Sequence, residues 1–254
     1  MKMLAKTLIN RPLAKFGLEI KRLEKASPRT SSMPGWKERL LHAKRLGLLP
    51  NVVVDGGAFR GLWARDIAAI FPGSQIVSIE PNPFLQEIIR ANTSDVQPPV
   101  TVLNLALGEH PEERSFNIWR DATSDTGASL LDHVSGEPGT VVEVQVDTLD
   151  NICKKLGLKP NLVKLDLQGA EFLALKGATG VLESAEMVIT EFGCLEAYIG
   201  RATSRDLLDI MFDNEYCLYD IVDCHYRPYD GALTGGDFFF VKNWSVLRKH
   251  KGWQ

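Results

Sequence analysis

Val52-Val53-Val54-Asp55-Gly56-Gly57-Ala58-Phe59-Arg60-Gly61 is the stretch that decides the fold. Three β-branched residues predict a buried strand, and the acid and glycines behind them predict a tight turn into a helix. Further along, Ile76-Val77-Ser78-Ile79-Glu80-Pro81 repeats the pattern, an apolar strand ending in a lone carboxylate. A third apolar run, Leu162-Val163-Lys164-Leu165-Asp166-Leu167, ends in Gln168-Gly169-Ala170-Glu171. Strands whose polar residues gather at their carboxyl ends, each followed by a helix, describe a parallel α/β sheet with a ligand pocket at that edge.

Outward from these runs, strands are expected near 51–55, 75–79, 100–106, 162–167 and 186–191, and helices near 61–71, 83–93, 171–183 and 203–213. An insertion follows the third strand, with Arg114–Trp119 and Val141–Val146 as antiparallel strands around the polar loop Arg120–Thr140. Asp147 is placed to cap a helix over 148–156. Tyr216–Ile221 and Asp237–Lys242 read as a terminal antiparallel pair joined by Val222–Gly236. Before the sheet, Trp36–Leu46 reads as a short helix stopped by Gly47, preceded by a Ser/Pro-rich linker.

With 44% apolar and 24% charged residues in 254, the chain can pack one large domain with an extension and is not a disordered polymer. No run reaches the ~18 apolar residues of a membrane-spanning helix, and the N-terminus lacks the apolar core of a signal peptide. Cys153, Cys194, Cys217 and Cys224 form no CxxC pair or zinc spacing, so free, mostly buried thiols in a reduced cytoplasmic setting are expected. The net charge of −3 is uneven: residues 1–50 carry 12 Lys/Arg against 3 Asp/Glu, about +9, which leaves about −12 for the rest. Domain boundaries are accordingly set at 1–49, a basic helical extension and linker, and 50–254. Leu4, Leu8, Ile9, Leu13, Phe16 and Ile20 fall near helical spacing among lysines and arginines. Such a segment suits a cap on its own domain, self-association, or peripheral contact with the anionic inner membrane face. No RNA-binding pattern of interleaved aromatics is present, so nucleic acid is not expected as a partner.

The glycines at 56, 57 and 61 let backbone N–H groups approach a ligand, but they do not follow G-x-G-x-x-G. The preceding Asp55 would repel a pyrophosphate and suits the cationic methionine end of S-adenosylmethionine. Glu80 can accept two hydrogen bonds from vicinal ribose hydroxyls, with Asn82 and Phe84 beside it for the adenine, although Phe84 suits the core equally well. Asp166 can hold the methionine ammonium or lie under the transferred methyl group. Glu171 is either part of the pocket or an acid favoured by its helix dipole.

VVVDGGAFRG, VSIEPNP, Asn104-Leu105-Ala106-Leu107-Gly108, Gly127-Ala128-Ser129-Leu130, Val146-Asp147-Thr148-Leu149-Asp150 and VKLDLQGAEFLALKGA together resemble the FkbM-type family of S-adenosylmethionine-dependent methyltransferases. The resemblance spans roughly residues 50–242. Phe59 departs from the usual pattern, standing where the family often has Asn, whereas Gln168 is a tolerated variant at a position where the family often has Glu or Gln before Gly-Ala-Glu. The resemblance implies a class I methyltransferase fold, Rossmann-like and doubly wound, with a mostly parallel seven-stranded sheet whose last strand is antiparallel. It implies O-methylation of a hydroxyl on a sugar or glycosylated metabolite. The donor is then expected at Asp55, Gly56, Gly57, Ala58 and Gly61, at Glu80, Pro81 and Asn82, and at Ala106 and Asp166.

Methyl transfer to a hydroxyl calls for a general base, and no motif names one. The candidates are His133, His225, Glu191 and Asp237, with Asp166 beside the reacting centre. Acceptor-binding candidates are Ser129, Gln168, Glu171, Tyr226 and Asp237, with Ser124, Asp125 and Tyr229 in the same loops. Asp166, Glu191 and Asp237 also have the oxygen chemistry of a divalent-cation site, although no metal-ligand spacing indicates one. The rival readings are an N- or RNA-directed methyltransferase on the same fold, and a degenerate nucleoside-binding partner protein. An Asn/Asp-Pro-Pro-aromatic tetrad after the fourth main strand would favour the first rival, and Asp166-Leu167-Gln168-Gly169 is not one.

Overall fold

A computed structural model of the chain describes residues 35–136 and 139–252. The basic amphipathic segment and most of the linker expected over 1–34 lie outside the described residues. The described residues all belong to the second compact unit, Met33–Gln254. In chain order the second unit contains Trp36–Arg45 (α1), Val52–Gly56 (β1), Leu62–Ile70 (α2), Gln75–Ile79 (β2), Gln86–Asn92 (α3, after a 3₁₀ turn at Pro83–Leu85) and Thr101–Leu103 (β3). Next come Ala106–Leu107 (β4), Glu112–Ile118 (β5), Thr140–Asp147 (β6), Leu149–Leu156 (α4) and Leu162–Leu165 (β7). Glu171–Lys176 (α5), Thr179–Ser184 (α6), Met187–Gly193 (β8), Ser204–Asp213 (α7), Tyr216–Tyr226 (β9) and Leu233–Lys242 (β10) complete it.

The main sheet has seven strands in the order β3-β2-β1-β7-β8-β10-β9. β1 pairs in parallel with both β2 and β7, so the chain's winding reverses between β1 and β7. A crevice opens at the carboxyl ends of strands where winding reverses. β10 runs antiparallel to β8 and β9, as expected for the last strand. Alternation along β1 divides the core between the sheet's faces. Val53, with Ile76, Leu162 and Ile189, packs under α1 and α2; Val54, with Val77 and Val163, packs under α4, α5 and α7. Leu40 and Ala43 of α1 are fully buried in the first of these layers, so this helix is built into the sheet domain.

Four local expectations change. The strand expected over 100–106 is two strands, because the Asn104 amide donates to the carbonyls of Glu80 and Pro81 and turns the chain after β3. β4 then joins β6 and β5 in a separate three-stranded sheet. The helix expected over 171–183 breaks at Gly177, where a Cβ would overlap the Gly108 carbonyl. Thr148, not Asp147, caps α4 by accepting from the Asn151 N–H, while Asp147 pairs with Lys155. The loop expected over 222–236 is mostly strand, leaving a short turn between β9 and β10. Of the cysteines only Cys153 is buried; Cys194 is exposed, and Cys217 and Cys224 are half-buried.

Candidate active site

A cleft of about 770 Å³ lies at the carboxyl edge, lined by Gly57, Glu80, Asn82, Leu105, Leu130, Asp166 and their neighbours. β1 ends in a turn that the glycines make possible. Gly57 has φ +76, and a Cβ there would overlap the carbonyl of Asp166, so the ends of β1 and β7 are in direct contact. Phe59 is also left-handed, with φ 49, a conformation that Asn tolerates better than Phe. Its side chain lines the cleft.

The turn is tied to β2 through Glu80, whose carboxylate accepts from the N–H of Phe59 at 2.8 Å and of Asn82 at 2.9 Å. Each oxygen retains a lone pair beside the cleft. Burial raises the Glu80 pKa to about 7 against these two hydrogen bonds. Pro81 and Ala106 line the same cleft. The Asn82 amide donates to the Ala122 carbonyl and its oxygen accepts from Phe84 N–H. Phe84 itself is half exposed and lines neither the cleft nor the core, correcting both expectations for it.

Asp55 is 0% exposed and neither carboxylate oxygen has a hydrogen-bond partner. Its nearest cation is Lys164 Nζ at 3.8 Å, and burial raises its pKa to about 6. Burial also opposes ionisation of Asp166, but Lys164 at 3.2 Å and the Gln168 amide at 2.8 Å hold its pKa below the usual range. Lys164, in the middle of an apolar strand, is thus held between two carboxylates.

Beyond Asp166 the 167–171 turn is locked from within. Glu171 is buried and accepts from the N–H groups of Leu167 and Gly169. It shares Arg201 with Glu191, at 3.8 and 3.3 Å. Ser129 is fully buried and donates to the Gln168 carbonyl. The Gln168 side chain bridges Asp166 and the Tyr198 hydroxyl. Glu171 and Ser129, expected to touch an acceptor, therefore shape the turn instead, because their polar atoms are taken by backbone. Asp125 does the same for the insertion, accepting from the N–H groups of Trp119, Arg120 and Gly127.

The expected bases separate. Burial and the neighbouring Glu171 and Asp166 raise the Glu191 pKa to about 9 against the Arg201 guanidinium, and its remaining contact to Arg201 leaves it poorly placed as a base. His225 and Tyr226 are exposed at the far end of β9, outside the cleft, and Tyr229 is 89% exposed. His133 sits in a separate hollow, ringed by Trp119 and Tyr198 and bonded to Ser135. Asp237, paired with Glu191 across β8 and β10, has its pKa raised to about 7 by burial and by Asp166. Among the described residues no group of three or more His, Cys, Asp or Glu is arranged for a metal ion. The oxygen set Asp166, Glu191 and Asp237 instead has Lys164 and Arg201 as its cations.

The cluster's charge tests the fit of a cationic nucleoside. Among the described residues Asp55, Asp166, Glu171 and Asp237, beside a Glu191 whose ionisation is disfavoured, face Lys164 and Arg201, so that acids outnumber bases. With neither Asp55 oxygen hydrogen-bonded, a ligand with a sulfonium and an ammonium fits this excess, and the Glu80 carboxylate fits a ribose diol.

The raised pKa values carry a stability consequence. A carboxyl with a higher pKa folded than unfolded binds protons more tightly in the folded state, so its contribution is full at low pH and is lost as pH rises through the folded value. For Asp55 the window runs from 3.8 to about 6, for Glu80 from 4.5 to about 7, and for Glu191 from 4.5 to about 9. The ligand-free chain is expected to melt at progressively lower temperature from about pH 5 to about pH 8, and Asp55→Asn to flatten the lower part of that decline. Thermal melts across this range test it; a level profile in wild type would contradict the assignment.

Strand order, the reversed β10 and the carboxyl-edge cleft define a class I S-adenosylmethionine-dependent methyltransferase. The match to the methyltransferase FkbM domain covers residues 55–221, and the chain belongs to that family. It is 24% identical over 185 residues to the 2-O-methyltransferase NoeI of Sinorhizobium fredii (strain NBRC 101917 / NGR234), covering 67% of this chain and 76% of that protein. Among solved structures it is similar to the methyltransferase FkbM of Methylobacillus flagellatus KT, with 18% identity and a TM-score of 0.45 over 74% of this chain. The chain spans 43% of the length of that protein. Magnesium protoporphyrin IX methyltransferase (ChlM) of Synechocystis PCC 6803, solved with bound S-adenosylmethionine, is 13% identical with a TM-score of 0.45, over 93% of this chain and 96% of that one. No helix among the described residues is long and apolar enough to cross a membrane.

Lys164, Tyr198 and Arg201 were missed by sequence reasoning. A lysine inside an apolar strand signals a buried ion pair, and Lys164 was legible on that ground. Arg201 and Tyr198 lie in a loop with no motif, and only the fold brings them to Glu171 and Gln168.

Proposed function

We propose that the chain is an O-methyltransferase whose acceptor is a hydroxyl of a carbohydrate or carbohydrate-bearing metabolite. The observation that carries the reading is the carboxyl-edge cleft, lined by both Glu80 and Asp166. In this reading Glu80 holds the ribose, Asp55 and Asp166 compensate the cationic methionine end, and Leu105 and Leu130 enclose the base. S-adenosylmethionine supplies the electrophilic methyl group when bound; the protein supplies alignment and excludes water. Two features favour oxygen over nitrogen as the acceptor. The relative NoeI is named a 2-O-methyltransferase. The turn after β7 offers Asp166 and Gln168, tied to each other, rather than a proline-rigid cradle for an amino group.

Incubation with methyl-labelled S-adenosylmethionine and separate pools of glycans, RNA and protein tests the reading. Label is expected in the glycan pool as an alkali-stable methyl ether. Label confined to RNA or protein would overturn the acceptor class, and micromolar binding of the donor with no turnover on any pool would favour the scaffold reading.

A further inference from the structure

A second cleft, of about 800 Å³, opens on the α1/α2 side of the sheet. It meets the first at Phe59 and Asp166, which line both. Its wall is Trp36 and Trp63, whose ring centroids lie 5.9 Å apart. Lys164 Nζ lies 5.6 Å from the Trp63 centroid, and Asp237 lines the same cleft. Trp36 is fixed by its backbone N–H, which donates to Asp223 at 3.0 Å.

We propose that this second cleft is the acceptor subsite, that it takes a pyranose ring against Trp63 and Trp36, and that Asp237 is the catalytic base. The inference rests on the reading of the first cleft as the donor site. An in-line displacement needs the acceptor on the side of the methyl group away from the leaving sulfur, so acceptor space must adjoin the methionine end and not the adenine end. Asp166 marks that end, and the second cleft begins there. Its chemistry matches a sugar, which has an apolar C–H face and a rim of hydroxyls. The indole faces suit the first, and the Lys164 ammonium and Asp237 carboxylate suit the second.

Asp237 is singled out by what occupies its neighbours. Asp166 is bound to Lys164 and Gln168, Glu191 to Arg201, and Asp66 to Lys37. Only burial and non-contacting charges act on the Asp237 carboxyl among the described residues, which leaves its oxygens for a substrate. Asp55 also lacks partners but is fully enclosed. In the step itself the acceptor O–H bond breaks toward Asp237 as the O–CH₃ bond forms and the CH₃–S bond breaks. The carboxylate ends protonated and neutral, the sulfonium charge is discharged into a neutral thioether, and the sugar becomes a methyl ether.

The test uses the full chain loaded with S-adenosylhomocysteine and a panel of methyl pyranosides of glucose, galactose, mannose, rhamnose and N-acetylglucosamine. Saturation-transfer NMR and tryptophan fluorescence read binding. At least one pyranoside is expected to bind, with saturation strongest on one C–H face. Trp63→Ala should weaken that binding roughly tenfold, and Trp63→Phe, which keeps a ring, should largely restore it. Asp237→Asn, which keeps a hydrogen-bonding side chain, should leave S-adenosylhomocysteine affinity intact and lower kcat for that sugar by ~10²–10⁴-fold, far more than it changes KM. Wild-type binding of S-adenosylhomocysteine with no pyranoside bound, or pyranoside binding unaltered in Trp63→Ala, would overturn the subsite. Wild-type turnover in Asp237→Asn would overturn the base. Failure of wild type to bind S-adenosylhomocysteine would instead strike the donor reading.

Discussion

Gly57→Ala is expected to lower the free energy of unfolding by ~4 kcal/mol or more and to abolish donor binding. Two effects add at this position. The residue has φ +76, where an L side chain is strained by ~1–2 kcal/mol. The new methyl group would also overlap the Asp166 carbonyl and force β1 and β7 apart where their ladder ends. The strands can separate only by breaking the Asp166 N–H bond to the Gly56 carbonyl, 3.1 Å in the intact edge. Gly73 provides the control, because it has φ +91 with nothing within 4 Å of a Cβ. Gly73→Ala should lose only the backbone share, so the difference between the variants in urea denaturation isolates the steric overlap. Equal losses would mean that the β1–β7 edge yields easily.

Glu80→Ala is expected to weaken S-adenosylhomocysteine binding by ~10²–10⁴-fold, from two charge-assisted hydrogen bonds of ~1.5–3 kcal/mol each. The same carboxylate anchors the N–H groups of Phe59 and Asn82, so the variant also loosens the turn and should melt earlier. The two roles separate through the ligand. If Glu80 acts on the ribose diol, the 2′,3′-dideoxy analogue should bind wild type as weakly as the parent ligand binds Glu80→Ala. The analogue should also lose little further affinity in that variant. An analogue that binds wild type at full strength would remove the ribose role and leave only the turn. Because the Glu80 pKa is raised to about 7, affinity for the diol should also tighten as pH rises through that value and the carboxyl ionises.

Both predictions concern the part of the molecule most legible in the chain. β1, β2 and β7 end within about two residues of their expected positions, since continuous β-branched runs closed by an acid or glycine admit few alternatives. The resemblance anticipated the reversed last strand, and β10 runs antiparallel to both its neighbours. The third strand was misjudged because Asn104 diverts the chain through side-chain hydrogen bonds to residues more than 20 positions away. The break at Gly177 was missed because its cause is the Gly108 carbonyl, remote in sequence. Residue type leaves Glu171 open between the pocket and the start of its helix, and its burial among N–H groups of its own turn is a matter of backbone path.

The sequence by itself determined the layered α/β architecture, the carboxyl-edge location of the cleft and the family, all of which follow from local periodicity and short motifs around Asp55, Glu80 and Asp166. Only the tertiary structure decided which acids are spoken for. Lys164, Arg201 and Gln168 claim Asp166 and Glu191, burial disfavours ionisation of Glu191, and Trp36 and Trp63 line one cleft with Asp237, whose carboxyl has no hydrogen-bond partner among the described residues. Charge pairing and desolvation depend on through-space distance between residues far apart in the chain, and no local pattern encodes that distance.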